Sequence, residues 1–299
     1  FGALEMSASL PFWLLWVTTP ILMASQARIA APASLRLSKA LKPGYEVLRC
    51  VAGDDAAAAA RRQVLILPGN PGIPGYYEDF ATALAKRLSA DGGVTVTALG
   101  LLGHCADAKS DPTTFRVFGL DEQIEHATEQ LGELEKAAPR DARIAVLGHS
   151  IGANIGLKAV HALDWPQKVK AVGLLTPFLQ NNDDNPDFAS KKRLATMGFA
   201  WRLLAFLGFL VQLLPLFLRR ILFHGTVKDM DTKARELTLT AMLRRRSLGN
   251  YVFMGKTEFE SPLLRHGPGD LLETLSPERC RRIFGLYTQK DIWAPLSWC

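Results

Sequence analysis

The chain has 299 residues, of which 48% are hydrophobic and 21% charged, the balance of a globular protein rather than a disordered one. Its net charge of +6 is mild for a nucleic-acid partner, which calls for a focused basic stripe. The four cysteines, Cys50, Cys105, Cys280 and Cys299, have no paired spacing, so neither a disulfide framework nor a CxxC metal site is indicated and a reducing compartment is expected.

The chain opens on phenylalanine, and residues 10–24 are an apolar run of fifteen. That is short of the roughly twenty residues a spanning helix needs. The only charge ahead of it is Glu5, where a signal peptide carries basic residues. A start at Met23 would give a segment with Arg28, Arg36, Lys39 and Lys42 and no acid before Glu46; this suits a transit peptide and a loosely ordered basic arm equally. Residues 1–43 are therefore read as a leader or poorly ordered segment, ahead of one domain over 44–299.

Within that domain, residues 46–51 alternate as a short strand and 54–60 (DDAAAAA) read as a low-complexity turn. Residues 63–67 (QVLIL) predict a buried strand running into Pro68-Gly69-Asn70-Pro71-Gly72, followed by a helix over 76–88 and a strand over 93–99. Leu120, Ile124, Ala127, Leu131 and Leu134 form an amphipathic helical stripe. Strand 143–147 leads into Gly148-His149-Ser150-Ile151-Gly152 and a helix over 153–163; further strands are expected at 169–175 and 282–287. Strands alternating with helices imply a mostly parallel sheet flanked by helices, with right-handed crossovers. Residues 178–275 break the rhythm with apolar helices and basic clusters, and read as a helical lid or membrane-contact insertion.

Gly148-His149-Ser150-Ile151-Gly152 fits G-x-S-x-G, and it follows a buried strand and opens a helix, the context that makes the pattern a nucleophile elbow. Ser150 is the candidate nucleophile. Acyl transfer places negative charge on the substrate oxygen, which needs two aimed N–H donors. The Ile151 backbone N–H is one candidate. The Asn70 backbone N–H, in the Gly/Pro turn after the earlier strand, is the other, with its side-chain amide as an alternative donor. Asp291, just past the last strand, occupies the place of a triad acid. None of the six histidines, His104, His126, His149, His161, His224 and His266, follows it. The catalytic histidine is expected beyond Cys299, with a final strand and histidine loop missing from the chain as given. His126 and His161 read as structural, and His104 as a residue lining the pocket.

These residues resemble a known family, the lipid droplet-associated hydrolases of the α/β-hydrolase fold. The resemblance rests on the run from Ile66 to Gly72, on Gly119-Leu120 with Gln123-Ile124-Glu125-His126, on the Ser150 pentapeptide, and on Asp291-Ile292-Trp293 with Pro295. It spans about residues 44–295, and the PGNPG turn is its most distinctive part. It implies an α/β fold with Ser150 as nucleophile and Asp291 as acid, and activity on lipid esters such as sterol esters in lipid storage or turnover. It also implies a location at the lipid droplet and endoplasmic reticulum. The serine mechanism itself calls for no metal or organic cofactor. A non-catalytic lipid-surface protein on the same scaffold is the competing reading, and a peptidase or thioesterase a third.

Independently, residues 203–218 (LLAFLGFLVQLLPLFL) are apolar apart from Gln212. As a helix they would be about 24 Å long, short of a bilayer core, with a kink at Pro215. Leu203, Phe206, Phe209, Leu213 and Phe217 are the candidate membrane contacts, with Arg202, Arg219 and Arg220 reaching to headgroups and Lys191, Lys192, Arg193, Arg244, Arg245 and Arg246 adding charge. A buried lid helix over an acyl pocket is the alternative.

Overall fold

The computed structural model describes residues 34–106, 116–264, 267 and 273–288. They build a seven-stranded sheet in the order β1-β2-β4-β3-β5-β6-β7. Strands β1 (Leu35–Lys42) and β2 (Tyr45–Ala52) form an antiparallel hairpin, and β2 pairs antiparallel with β4 (Val94–Leu99). From there β4, β3 (Arg62–Leu67), β5 (Arg143–His149), β6 (Val169–Leu175) and β7 (Ile283–Leu286) run parallel.

The parallel strands read as continuous apolar runs because both faces of the sheet are covered. In β3, Val64 and Ile66 pack with Tyr77, Ala81 and Ala85, the last two on helix α2 (Glu78–Leu88). Leu65 and Leu67 face the opposite layer, with residues of α3 (Leu120–Ala137) and α4 (Ile151–Ala162). In α3, Leu120, Ala127 and Leu131 are buried, as the apolar stripe predicts. Two of its polar residues hold the loop after β4: Gln123 exchanges hydrogen bonds with the Leu102 backbone, and His126 Nε2 lies 3.3 Å from Gly100 O.

Two expectations change. The Ala-rich stretch is a helix, α1 (Ala56–Arg61), not a turn, since Asp55 caps it by accepting from Ala57 N and Ala58 N and alanine favours the helix. The sheet also begins ahead of residue 44. β1 lies inside the segment read as leader because its partner β2 supplies a full ladder of backbone hydrogen bonds, while most of its side chains remain exposed.

Between β6 and β7 the described residues form helices and no strand. They include α5 (Pro186–Ala195), α6 (Ala200–Gln212), α7 (Leu216–Leu222), α8 (His224–Val227), α9 (Thr232–Leu237), a π turn (Thr238–Met242) and α10 (Arg245–Glu260), with short helical turns at Pro262–Leu264 and Pro277–Cys280 before β7. α10 is the buried spine of this cap. Its Tyr251, Met254, Glu258 and Phe259 lie at most 3% exposed, on one helical face that meets the sheet layer.

Candidate active site

Ser150 sits where β5 ends and α4 begins, with φ 52° and ψ −124°. A non-glycine residue at positive φ is strained and persists where its surroundings over-determine it. Here they do. Ser150 N donates to Leu175 O at 3.0 Å, while Ser150 O accepts from Ala153 N and Phe178 N at 3.0 Å each. The turn also needs its small neighbours. A Cβ on Gly152 would fall 2.2 Å from Leu67 O, and one on Gly148 would fall 2.3 Å from Gly152 O. No side chain fits at either position, so the pattern that identified the motif has a steric cause.

The Pro68–Gly72 turn faces this serine. A Cβ on Gly69 would lie 3.0 Å from Ser150 Cβ. The turn is held from several directions. Gly69 N donates to the Tyr77 hydroxyl at 2.8 Å, and that hydroxyl lies 2.7 Å from His149 Nδ1. Gly72 N donates to His104 Nδ1 at 3.2 Å. Asn70 Nδ2 donates to Tyr251 O at 2.8 Å and to Glu258 Oε1 at 3.2 Å. Tyr251 O can only accept, so it fixes which end of the Asn70 amide is nitrogen. Both Nδ2 hydrogens are used, and this removes the side-chain amide as an alternative oxyanion donor.

The histidines divide clearly. His104, His126 and His149 are buried; desolvation pulls them down from 6.5 to about 3, about 4 and about 4 respectively, so all three are neutral. His104 was expected to line the pocket. It instead lies under the turn, with its Nδ1 accepting from Gly72 N. His161 and His224 are exposed, on α4 and α8. Among the described residues Ser150 has no histidine hydrogen-bonded to it. Asp291 and His266 lie outside the described residues.

Glu258 is the residue that motif reading passed over. It is fully buried, and desolvation raises its carboxyl to about 8, with the Asn70 hydrogen bond opposing. Its Oε2 has no hydrogen-bond partner among the described atoms. The signal was present in the sequence: an acid on the apolar face of a helix, at i+4 from Met254 and beside Phe259.

The candidate membrane segment is broken, as Pro215 predicts. α6 ends at Gln212, and Pro215 caps α7. Ala205 on α6 is buried, Gly208 faces Leu248 of α10, and Trp201 meets Phe253 edge-on at 5.5 Å. The other face is open: Leu203, Phe206, Phe209, Leu213 and Phe217 are 40–67% exposed. This is not a buried lid helix. No helix among the described residues is long and apolar enough to cross a membrane.

Some of the nearby cations are already committed. Arg219 donates to Gln212 O at 2.6 Å, Leu214 O at 2.9 Å and Leu239 O at 3.1 Å, satisfying carbonyls that the end of a helix leaves unpaired. It is thus a strut of the α6–α7 corner rather than a headgroup ligand. Arg220 pairs with Glu236, Lys192 with Asp183, and Arg244 donates to Ala106 O.

A family model described as lipid-droplet associated hydrolase matches residues 60–299. The chain belongs to that family. Curated relatives named lipid droplet-associated hydrolase include one from Gallus gallus, 25% identical over 84% of this chain and 78% of that protein. Another, from Drosophila melanogaster, is 30% identical over 54% of this chain and 53% of that protein. Among solved structures, the α/β hydrolase MGS-M2 from a deep-sea metagenome library covers 87% of this chain and 82% of its own, with 16% identity and a TM-score of 0.51. That likeness establishes the α/β-hydrolase fold of this family member and nothing about its substrate.

Proposed function

We propose that this member of the lipid droplet-associated hydrolase family is a serine esterase that cleaves carboxylic esters of lipids, sterol esters among them, in lipid storage or turnover. Its place of work is the surface of a lipid droplet or of the endoplasmic reticulum. The observation that carries the reading is the strained Ser150 at the β5–α4 turn, with a fixed backbone turn facing it.

In this reading Ser150 Oγ attacks the ester carbonyl and its proton passes to a histidine. Asp291 orients that histidine. The carbonyl oxygen takes the electron pair and is stabilised by the N–H groups of Asn70 and Ile151, one of which is typically worth about 2.7–4 kcal/mol. Collapse expels the alcohol, which takes the proton, and water then releases the acyl group from Ser150. The exposed apolar face of α6 and α7 supports an approach from a lipid surface.

That same face supports the second reading, a lipid-surface protein without turnover, because it does not depend on Ser150. Fluorophosphonate labelling of the full chain separates the two, together with hydrolysis of p-nitrophenyl butyrate and emulsified cholesteryl oleate. The esterase reading expects labelling at Ser150 and a loss of at least about a thousandfold in turnover for Ser150→Ala. Turnover unaffected by that substitution removes it.

A further inference from the structure

The cap and the turn facing Ser150 are joined at one buried point. Asn70 leaves the sheet layer, and its side-chain amide donates to two acceptors on α10, Tyr251 O at 2.8 Å and Glu258 Oε1 at 3.2 Å. Asn70 is 2% exposed, and Asn250 and Glu258 on α10 are fully buried. Asn250 has a separate task, with its amide on Arg116 O and Phe118 N. Glu258 has no ion pair among the described residues, and its carboxyl meets the sheet layer through Asn70.

A buried carboxyl is costly and is retained where it holds something in place. A side chain that sets the orientation of a donor loop changes the rate more than the binding, since the oxyanion forms only as the reaction proceeds. We propose that Glu258 is a positioning residue: through Asn70 it fixes, from the cap, the backbone turn that faces Ser150. This rests on the esterase reading above, with the Asn70 N–H as an oxyanion donor, and adds to it a residue 188 positions away in sequence. It also makes α10 the element through which the cap can act on the reacting centre.

The test uses the full chain with p-nitrophenyl butyrate, a substrate small enough not to depend on a lipid surface. Glu258→Leu keeps the volume of the side chain and removes the acceptor. It is expected to lower kcat by about 10- to 100-fold while KM stays within about twofold. Glu258→Gln keeps an oxygen at the position of Oε1 and is expected to retain kcat within about threefold. Glu258→Asp withdraws the carboxyl by one methylene and is expected to behave like Glu258→Leu, which keeps the inference testable if the leucine variant does not fold.

In an Asn70→Ala background, Glu258→Leu is expected to add less than about a threefold loss, because the two residues act as one unit. Folded Glu258→Leu or Glu258→Asp with kcat within threefold of the parent overturns the inference, as does a rise in KM alone, or full additivity with Asn70→Ala. Ser150→Ala measured alongside separates the levels: if it leaves turnover intact, the esterase reading has failed rather than the role of Glu258.

Discussion

The Tyr77 hydroxyl lies 2.7 Å from His149 Nδ1 while accepting the Gly69 N–H at 2.8 Å. One phenol thus joins the residue before the candidate nucleophile to the start of the turn that faces it. Tyr77 is 4% exposed and His149 7%, so neither group can exchange its partner for bulk water. Removing the hydroxyl leaves the Gly69 N–H and His149 Nδ1 unpaired in the interior, at about 1–3 kcal/mol each. Tyr77→Phe is expected to destabilise the protein by roughly 2–6 kcal/mol. It is also expected to lower kcat about tenfold, short of the full loss of an oxyanion donor. Thermal unfolding and steady-state kinetics on a soluble ester check both; a variant equal to the parent in both would show that the strut is dispensable.

Stability should depend on pH in two opposed ways. His104, His126 and His149 are held down from 6.5 to about 3, 4 and 4 by burial. The unfolded chain therefore binds more protons than the native one below pH 6.5, so their contribution is full above 6.5 and is lost as pH falls toward 4. Glu258 has the opposite sign: its carboxyl is raised from 4.5 to about 8, so the native chain binds the extra proton. Its contribution is full below 4.5 and is lost as pH rises toward 8, with a slope of at most about 1.4 kcal/mol per pH unit. Urea midpoints measured from pH 4.5 to 8 should show a steep acid limb. Glu258→Gln should flatten the loss between about pH 5 and 8 and leave the acid limb in place. An unchanged alkaline limb would mean that Glu258 does not carry this proton.

What was legible in the sequence follows from what is local. QVLIL, RIAVL and VKAVGLL announce strands buried on both faces, and the spacing in α3 announces its stripe. The Ser150 elbow is recognisable because its steric requirement is met by residues next to one another in the chain: Gly148 and Gly152 leave no room for a side chain. The turn at Gly69 and Asn70 was legible as a turn, but what holds it was not. Its partners are Tyr77, His104, Tyr251 and Glu258, at separations from 8 to 188 residues. Such pairings are set by the path of the cap over the sheet and leave no periodic trace. The Ala-rich helix α1 was missed because its run of alanines looks like low complexity until Asp55 is seen as a cap. Arg219 was misread for the opposite reason: a cation beside an apolar run looks like a headgroup ligand, yet here three carbonyls claim it.

Under the proposed lipid-surface reading, that last point separates two contributions, one apolar and one of charge. Leu213 and Phe217, 67% and 61% exposed, flank the break at Pro215 and are the most exposed of the five candidate contacts. Covering a large apolar side chain that is otherwise exposed is worth about 1.5–3 kcal/mol. Replacing both with aspartate should lower partition onto phospholipid-coated triacylglycerol droplets by at least about a hundredfold. Turnover of a soluble ester should stay within about twofold, since neither side chain belongs to the Ser150 site. Arg219→Ala should do the reverse. It opens the α6–α7 corner and lowers thermal stability by about 1–3 kcal/mol, yet it removes no charge from the lipid contact, so the salt dependence of droplet binding should match the parent. Flotation of the full chain with such droplets at low and high salt reads both effects. Undiminished flotation of the double aspartate variant would rule out the α6–α7 face as the lipid contact. A flattened salt dependence in Arg219→Ala would return that arginine to the headgroups.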